Sequence, residues 1–126
     1  MRFRELPGLA VTVDSVTHQP HLHAEAERPH PFVYHLSIHN GSDSSVTILG
    51  RKWIVTDEQG STLVVEGDGV VGQTPRLEPG HSFSYNSYHV IKHRSMASGT
   101  FFGETDGGVA VLVRVPDFTM TVPQQS

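Results

Sequence analysis

The sequence predicts an all-β fold: an immunoglobulin-like or fibronectin type III-like β-sandwich of two antiparallel sheets, with about seven or eight strands. Apolar and polar residues alternate with a period of two along most of the chain, which turns one face of each strand inward and the other outward. Turns rich in glycine, proline, Asn or Asp recur at intervals of roughly eight to twelve residues. No stretch has the longer period of a helix, so two stacked sheets are the expected architecture.

The segments that match the strand pattern share this alternation or a β-rich composition. In chain order they are residues 9–14, 34–39, 46–56, 61–66, 82–88, 99–104, 109–115 and 118–122. The first two alternate strictly and are joined by a polar loop at residues 18–31. Asn40-Gly41 is a strong turn signal that closes the second segment. The third carries Trp53, the only tryptophan, and a polar turn at 57–60 leads from it into the fourth.

The later strands follow from the same reasoning. The fifth alternates with Phe83 and Tyr85 on one face, and the sixth is short. The seventh is nearly all aliphatic, as expected of a strand that is covered on both faces or central in a sheet. Pro116 is predicted to end it, because proline cannot donate to a strand ladder. Alternation then resumes around Phe118, and we expect Trp53, Phe101 and the other aromatic residues of these strands to form the core.

Length and composition limit the possible functions. The 126 residues are expected to form one domain, residues 1–126 with a core between 9 and 122. The chain has no cysteine, which excludes disulfides, thiolate metal sites and thiol nucleophiles. Its formal net charge is −4 with scattered basic residues, so no nucleic-acid surface is expected. It lacks a membrane-length apolar run and a signal-peptide pattern, and we expect a cytoplasmic protein.

Residues 67–75, called the glycine loop below, are the most informative segment. Gly67 to Gly72 has the glycine spacing of a dinucleotide-binding fingerprint. However, two prolines and a glycine in residues 73–80 forbid the helix that such a site requires. Exposed N–H groups in this loop would suit a phosphate or a partner's carboxylate. The structural alternative is a rigid crossover between the two sheets, with Val70 and Val71 buried in the core.

Arg51 is the cation most closely tied to this loop by the sequence pattern. It shares a strand face with Trp53, so we expect it either at the rim of the core or paired with an Asp or Glu of the glycine loop. The candidate binding residues come from this strand and from the loop. They are Arg51, Trp53, Gly67, Asp68, Gly69, Val70, Val71, Gly72, Gln73 and Pro75.

Catalytic and metal sites have weaker support in the sequence. No Gly-x-Ser-x-Gly elbow is present, and we predict no catalytic residue, no metal ligand and no cofactor. Glu66 and Asp68 flank Gly67 and suit Mg²⁺ by chemistry, but two carboxylates are a weak signal. His35 and His39 share a face about 13 Å apart, too far for one ion. The histidines of the 18–31 loop offer only weak chelation of a transition metal.

The order of several motifs resembles the ApaG family of bacterial domains over most of residues 9–122. The matching segments are Arg51 to Asp57, Gly60, Gly67 to Pro75, Leu77 to Gly80, Phe83 to Ser87, Met96, Gly99 to Phe101 and Val113 to Phe118. The chain departs from the family at Lys52, where His is usual, and at Asp68, where Glu is usual. The early strand of the family also normally carries an aromatic residue, where this chain has Val16-Thr17-His18. These departures concern any function carried by the usual His or by that aromatic residue.

The resemblance implies a fibronectin-type sandwich without a defined activity. Members of the family are associated with magnesium and cobalt homeostasis, and related domains look like protein-interaction modules in larger eukaryotic proteins. The favoured interpretation is a non-enzymatic module that engages another protein through the glycine loop, with an exposed sheet edge as a further contact. The alternative is a binder or sensor of a phosphate-containing metabolite or a divalent cation. A homodimer is a further expectation.

Overall fold

The computed structural model describes residues 2–123, and within these residues every regular element is a β-strand. The nine strands are β1 (Arg4–Glu5), β2 (Leu9–His18), β3 (His30–Asn40), β4 (Val46–Asp57), β5 (Thr62–Asp68), β6 (Arg76–Leu77), β7 (Ser82–Ile91), β8 (Ser95–Thr105) and β9 (Ala110–Met120). Two of them, β1 and β6, are only two residues long. No helix in the described part of the chain is long and apolar enough to span a membrane.

The strands form two sheets, which confirms the predicted sandwich class. The larger sheet has the order β1-β9-β8-β4-β5, with β6 also paired to β4. The smaller sheet has the order β2-β3-β7. All pairings are antiparallel except that of β1 with β9, which is parallel. The short parallel strand β1 at this one edge was not predicted.

The core lies between the inward faces of the two sheets. Trp53 and Phe101 of the larger sheet are almost completely buried, as are Leu36 and Ile38 of the smaller one. Trp53 packs against Tyr34 across the gap, with ring centroids 5.1 Å apart. The aromatic core predicted from the sequence is confirmed, with Phe83 and Tyr85 only partly buried at its margin.

A β-bulge at Leu49 changes which residues of β4 face inward. Before it, Val46 and Ile48 are buried; after it, Trp53 and Val55 are buried. The register of β4 with β8 shifts between Ile48 and Gly50, which shows that the extra residue lies at this point. Such a bulge moves the following residues to the opposite face. It is the reason that the strand face shared by Arg51 and Trp53 is the inward one, on the same side as Val46 and Ile48.

Pro116 does not end a strand, contrary to the sequence prediction. Strand β9 continues through it to Met120. The register of β9 with β8 shifts between the pairs Gly99–Val115 and Ala97–Phe118, so Pro116 lies within a bulge. A residue in a bulge makes no regular ladder bond, and the missing N–H of proline therefore costs little there.

The strand before Asn40-Gly41 ends where this turn signal predicted. Asn40 is the last residue of β3 and is almost fully buried. Its amide group donates to the carbonyl oxygens of Ser44 at 2.8 Å and Leu77 at 2.9 Å. Its side-chain oxygen accepts from the Ser42 hydroxyl at 2.6 Å. The amide side chain thus fastens the β3–β4 connection to β6.

The segment after β5 differs from the predicted crossover. Gly67 and Asp68 belong to β5, and Arg76 and Leu77 form β6. Both strands run antiparallel to β4 along the same edge of the larger sheet. The remainder of the glycine loop is an excursion from that edge, and the chain passes to the smaller sheet only after β6, just before Ser82.

Candidate functional site

The tip of the glycine loop is a two-residue hairpin. The N–H of Val70 donates to the carbonyl of Gln73 at 2.6 Å, and the N–H of Gln73 donates back to Val70 at 3.0 Å. The two residues between them, Val71 and Gly72, have φ angles of +48° and +79°. Positive φ at both central residues is the pattern of a type I′ turn, which prefers Asn or Gly at these positions.

The stem of the loop is fixed to the bulged part of β4. The N–H of Gly69 donates to the carbonyl of Leu49 at 2.6 Å, and the N–H of Ile48 donates to Pro75 at 2.9 Å. Val70 is fully buried and packs into the core. The prediction that Val70 fills the core is therefore confirmed. These contacts hold the loop in one conformation.

Arg51 supports the loop from the inward side. Its Nη1 donates to the carbonyl oxygens of Asp68 at 2.9 Å and Gly69 at 3.2 Å. Of the two alternatives expected for Arg51, the pairing with a loop carboxylate is not formed within residues 2–123, because the guanidinium meets backbone carbonyls of the loop instead. Gly67 makes room for it, since a Cβ at that position would come within 2.8 Å of Nη1.

Val71 projects into solvent, which contradicts the expectation that it is buried. Its exposed fraction is 54%. A positive φ is rare for a β-branched residue, because the side chain crowds the backbone in the left-handed region. The chain therefore holds an apolar side chain at the loop tip in an unfavourable backbone conformation, where Asn or Gly would be relaxed.

The other predicted site residues divide between the loop surface and the core. Gln73 and Asp68 are exposed around the tip, and Pro75 is half-buried at the stem. Trp53 does not reach this surface, because it lies under Tyr34 and His89 inside the sandwich. The structure thus brings the loop residues and Arg51 together and assigns Trp53 to the core.

An anion would find a limited set of donors in this loop. The N–H groups of Gly69, Val70 and Gln73 already donate within the protein. The carboxylate of Asp68 is exposed beside them and repels negative charge. In residues 2–123, no three His, Asp or Glu side chains lie close enough together to hold a metal ion.

A cleft that was not predicted from the sequence lies on the outward face of the larger sheet, next to the loop. Two depressions of about 550 Å³ and about 410 Å³ share Gly50 and Phe102 as lining residues. The first extends to Gly67 and Asp68, and the second extends to Phe3. We call their union the outer cleft. Its only sequence signal was the break in alternation at residues 49 and 50.

A second missed feature is a polar network on the outward face of the smaller sheet. The hydroxyls of Ser37 and Thr12 donate to the carboxylate of Asp14 at 2.5 and 2.9 Å. These bonds hold the pKa of Asp14 below its usual value. His39 lies between the hydroxyls of Thr12, at 3.0 Å, and Ser82, at 2.7 Å. The network ties the three strands together across that face.

Comparison with known sequences places this fold and loop in a family. The sequence profile of the ApaG domain matches residues 19–104, which includes the glycine loop and β4. The chain belongs to the ApaG family. A Protein ApaG from Anaeromyxobacter sp. (strain K) is 40% identical over 122 residues, covering 92% of this chain and 91% of the relative. A Protein ApaG from Vibrio vulnificus (strain YJ016) is 34% identical over 93 residues, covering 73% and 74%.

Solved structures agree with the ApaG assignment. A crystal structure of a protein given the name ApaA, from Bordetella pertussis, has a TM-score of 0.79 and 25% identity, covering 98% of this chain and 100% of that one. An X-ray structure of a structural-genomics target has a TM-score of 0.82 and 26% identity, covering 92% and 88%. The ApaG sandwich predicted from the sequence is thereby confirmed.

Proposed function

We propose that this ApaG-family protein is a non-enzymatic module that binds another protein through its glycine loop. The observation that carries the proposal is the state of Val71, which is both exposed and held at a φ of +48°. Backbone strain of this kind costs on the order of 1–3 kcal/mol and persists where the surrounding structure imposes it. A strained apolar side chain at a loop tip is best explained as a contact residue.

The rigidity of the loop supports the same function. Arg51, the Gly69–Leu49 hydrogen bond and buried Val70 fix the stem before any partner arrives. A loop that is already ordered loses little conformational entropy on binding, which favours affinity. The exposed tip therefore presents Val71 and Gln73 to a partner in a defined geometry.

The alternative ligands have less support from the loop geometry. Three loop N–H groups are already bonded within the protein, and Asp68 adds negative charge where a phosphate would lie. A phosphate compound or divalent cation that bound here would raise the melting temperature by mass action. A clear rise with millimolar pyrophosphate, Mg²⁺ or Co²⁺ would favour that alternative over protein binding.

Replacing Val71 by Asn separates a binding role from a structural one. Asn tolerates positive φ, so Val71→Asn is expected to leave stability unchanged or to raise it. If Val71 is a contact residue, the same change removes partner proteins from affinity captures of a lysate of the source cells, quantified by mass spectrometry. The matched control is Val64→Asn on β5, because Val64 is also exposed, at 49%, but lies in regular strand.

Val71→Asn is expected to keep or raise the stability of the fold while it removes bound partners, so loss of partners cannot be attributed to unfolding. A stable Val71→Asn variant that loses partners retained by the wild type and by Val64→Asn supports the proposal. A stable Val71→Asn variant that keeps every partner contradicts it.

A further inference from the structure

Gly50 creates a trough across the outward face of the larger sheet. The strand register places Gly50 of β4 between Phe102 of β8 and Asp68 of β5. Because Gly50 has no side chain, the two depressions of the outer cleft join above it. A Cβ added there would meet only the carbonyl oxygen of Gly67, at 3.4 Å, and its φ is not in the left-handed region. Neither packing nor backbone conformation therefore requires a glycine at this position.

The floor and one wall of the trough are apolar. Phe3 meets Phe102 edge to face, with ring centroids 5.0 Å apart. Leu49 and Phe3 are large apolar residues of this surface, exposed by 45% and 39%. Phe102 lies between the two depressions and lines both. Grouped apolar side chains on an outward sheet face are a common mark of an interaction site.

Negative charge lies near both ends of this apolar surface. Asp68 lines the depression next to the glycine loop, and Glu104 lines the other. Neither carboxylate forms an ion pair within residues 2–123. The nearby Lys52 is already paired with Glu66 at 3.5 Å, and Arg51 donates to the loop carbonyls. Positive charge on a bound segment would therefore find carboxylates without a competing partner.

The N-terminal segment of the chain shows which kind of side chain packs on this surface. The side chain that packs on Phe102 is Phe3, which stands between Arg2 and Arg4. An aromatic side chain flanked by arginines thus already covers one side of the outer cleft. The trough beside it, from β5 across β4 and β8 to β9, spans about 14 Å, which is enough for roughly four residues of extended chain.

We propose that the outer cleft is a docking groove for a short extended segment of a partner protein, with an aromatic or aliphatic anchor flanked by Lys or Arg. The anchor lies in the trough above Gly50 against Phe102, and its basic neighbours meet Asp68 and Glu104. This inference rests on the proposed function, because it names the kind of partner segment that would bind next to the glycine loop. It adds a second contact surface with its own chemistry.

A random library of displayed twelve-residue peptides, selected on the immobilised full chain, tests the groove directly. Enriched peptides are expected to carry an aromatic or aliphatic residue next to Lys or Arg.

Binding of one synthetic peptide, measured by fluorescence anisotropy, is expected to weaken at least tenfold in Gly50→Leu, which fills the trough. The matched control is Thr56→Leu, which adds the same side chain to the same strand near its other end. Exchanging the peptide's basic residues for Glu is expected to abolish binding.

Each other outcome overturns the inference. The inference fails if the selection enriches no peptide, or if the enriched peptides lack basic residues. It also fails if the synthetic peptide binds Gly50→Leu and Thr56→Leu with equal affinity. Self-association of the chain that is lost in Phe102→Asn, without peptide binding, would assign the face to a homodimer. If Gly50→Leu fails to fold by circular dichroism, Phe102→Asn takes its place in the peptide measurement. Loss of cellular partners in Val71→Asn but not in Gly50→Leu would retain the loop function and remove the groove.

Discussion

The indole ring of Trp53 lies against Gly99, its directly opposite neighbour on β8. A Cβ at position 99 would come within 2.7 Å of the ring carbon Cζ3, closer than any real contact of this kind. The largest side chain of the core therefore occupies space that only glycine leaves free.

Replacing Gly99 by Ala is expected to lower the free energy of unfolding by about 1–3 kcal/mol, because the indole must move within a packed core. Urea unfolding followed by Trp53 fluorescence measures the change. The control is Gly107→Ala, where the nearest atom to the new Cβ is the Thr105 hydroxyl at 3.8 Å. Equal stability of the two variants would show that the core adjusts around Trp53.

Removing the guanidinium of Arg51 is expected to loosen the glycine loop. In Arg51→Met, the carbonyls of Asp68 and Gly69 lose a charged donor, which typically costs about 1.5–3 kcal/mol. Relative to the wild type, hydrogen exchange in Arg51→Met should become faster at the amides of Gly69 and Val70, while the exchange rates of the β3 amides should change less. Lys52→Met is the control, because the Lys52–Glu66 pair is exposed and contributes little. Unchanged hydrogen-exchange rates in the loop of Arg51→Met would contradict the conclusion that the Arg51 guanidinium stabilises the loop.

Two glycines of the loop are expected to respond differently to the same substitution. In Gly69→Ala the new Cβ would lie 2.4 Å from the carbonyl oxygen of Gln73, so the hairpin must open. In Gly72→Ala no atom of the described residues lies within 4 Å of the new Cβ, and the remaining cost is backbone strain at φ +79° of about 1 kcal/mol. Thermal unfolding should therefore show a larger loss for Gly69→Ala. A larger loss for Gly72→Ala would contradict the described loop geometry.

Acid is expected to destabilise the fold through His89. Burial lowers the pKa of His89 from 6.5 to about 4. Its ring stacks on Tyr34 at 4.8 Å and meets Trp53 edge-on at 4.9 Å. Its Nε2 has no hydrogen-bond partner among residues 2–123. Above pH 6.5 the histidine is neutral in both states. Between pH 6.5 and 4 only the unfolded chain takes up the proton, so stability falls with pH by roughly 3 kcal/mol in total.

The variant His89→Phe isolates this contribution from the carboxylates that also titrate in acid. It keeps an aromatic ring among Tyr34, Trp53 and Phe118 but has no titratable nitrogen. The free energy of unfolding, measured in urea from pH 7 to 4.5, should fall less steeply in His89→Phe than in the wild type. Parallel pH profiles would show that His89 is not the source of the acid sensitivity.

The layer architecture was predictable because it depends on local patterns. Alternation placed Leu36 and Ile38 on one face and Trp53 in the core without knowledge of strand partners. The errors occur where a partner strand decides the outcome. Pro116 is accommodated because β9 bulges against β8, and the meeting of Arg51 with backbone carbonyls depends on where β5 ends. Neither relation is present in the sequence around those residues.

The candidate site was predictable in position but not in geometry. The glycines located the loop, and the hydropathy of Val70 and Val71 suggested that both are buried. Only the three-dimensional turn shows that Val70 points inward and Val71 outward. The outer cleft depends on Gly50, Phe102 and Phe3, which are far apart in sequence and meet through strand register and the path of the N-terminal segment. No linear pattern encodes that meeting.

The bulge at Leu49 also limits how β4 can change length during evolution. Before the bulge the inward residues stand at even positions, Val46 and Ile48. After it they stand at odd positions, Arg51, Trp53 and Val55. A deletion of one codon between Gly50 and Trp53 would keep the reading frame yet rotate the tryptophan toward water, unless the bulge itself disappeared. Insertions and deletions in the lineage of this protein should therefore accumulate in the 19–29 connection and avoid the middle of this strand.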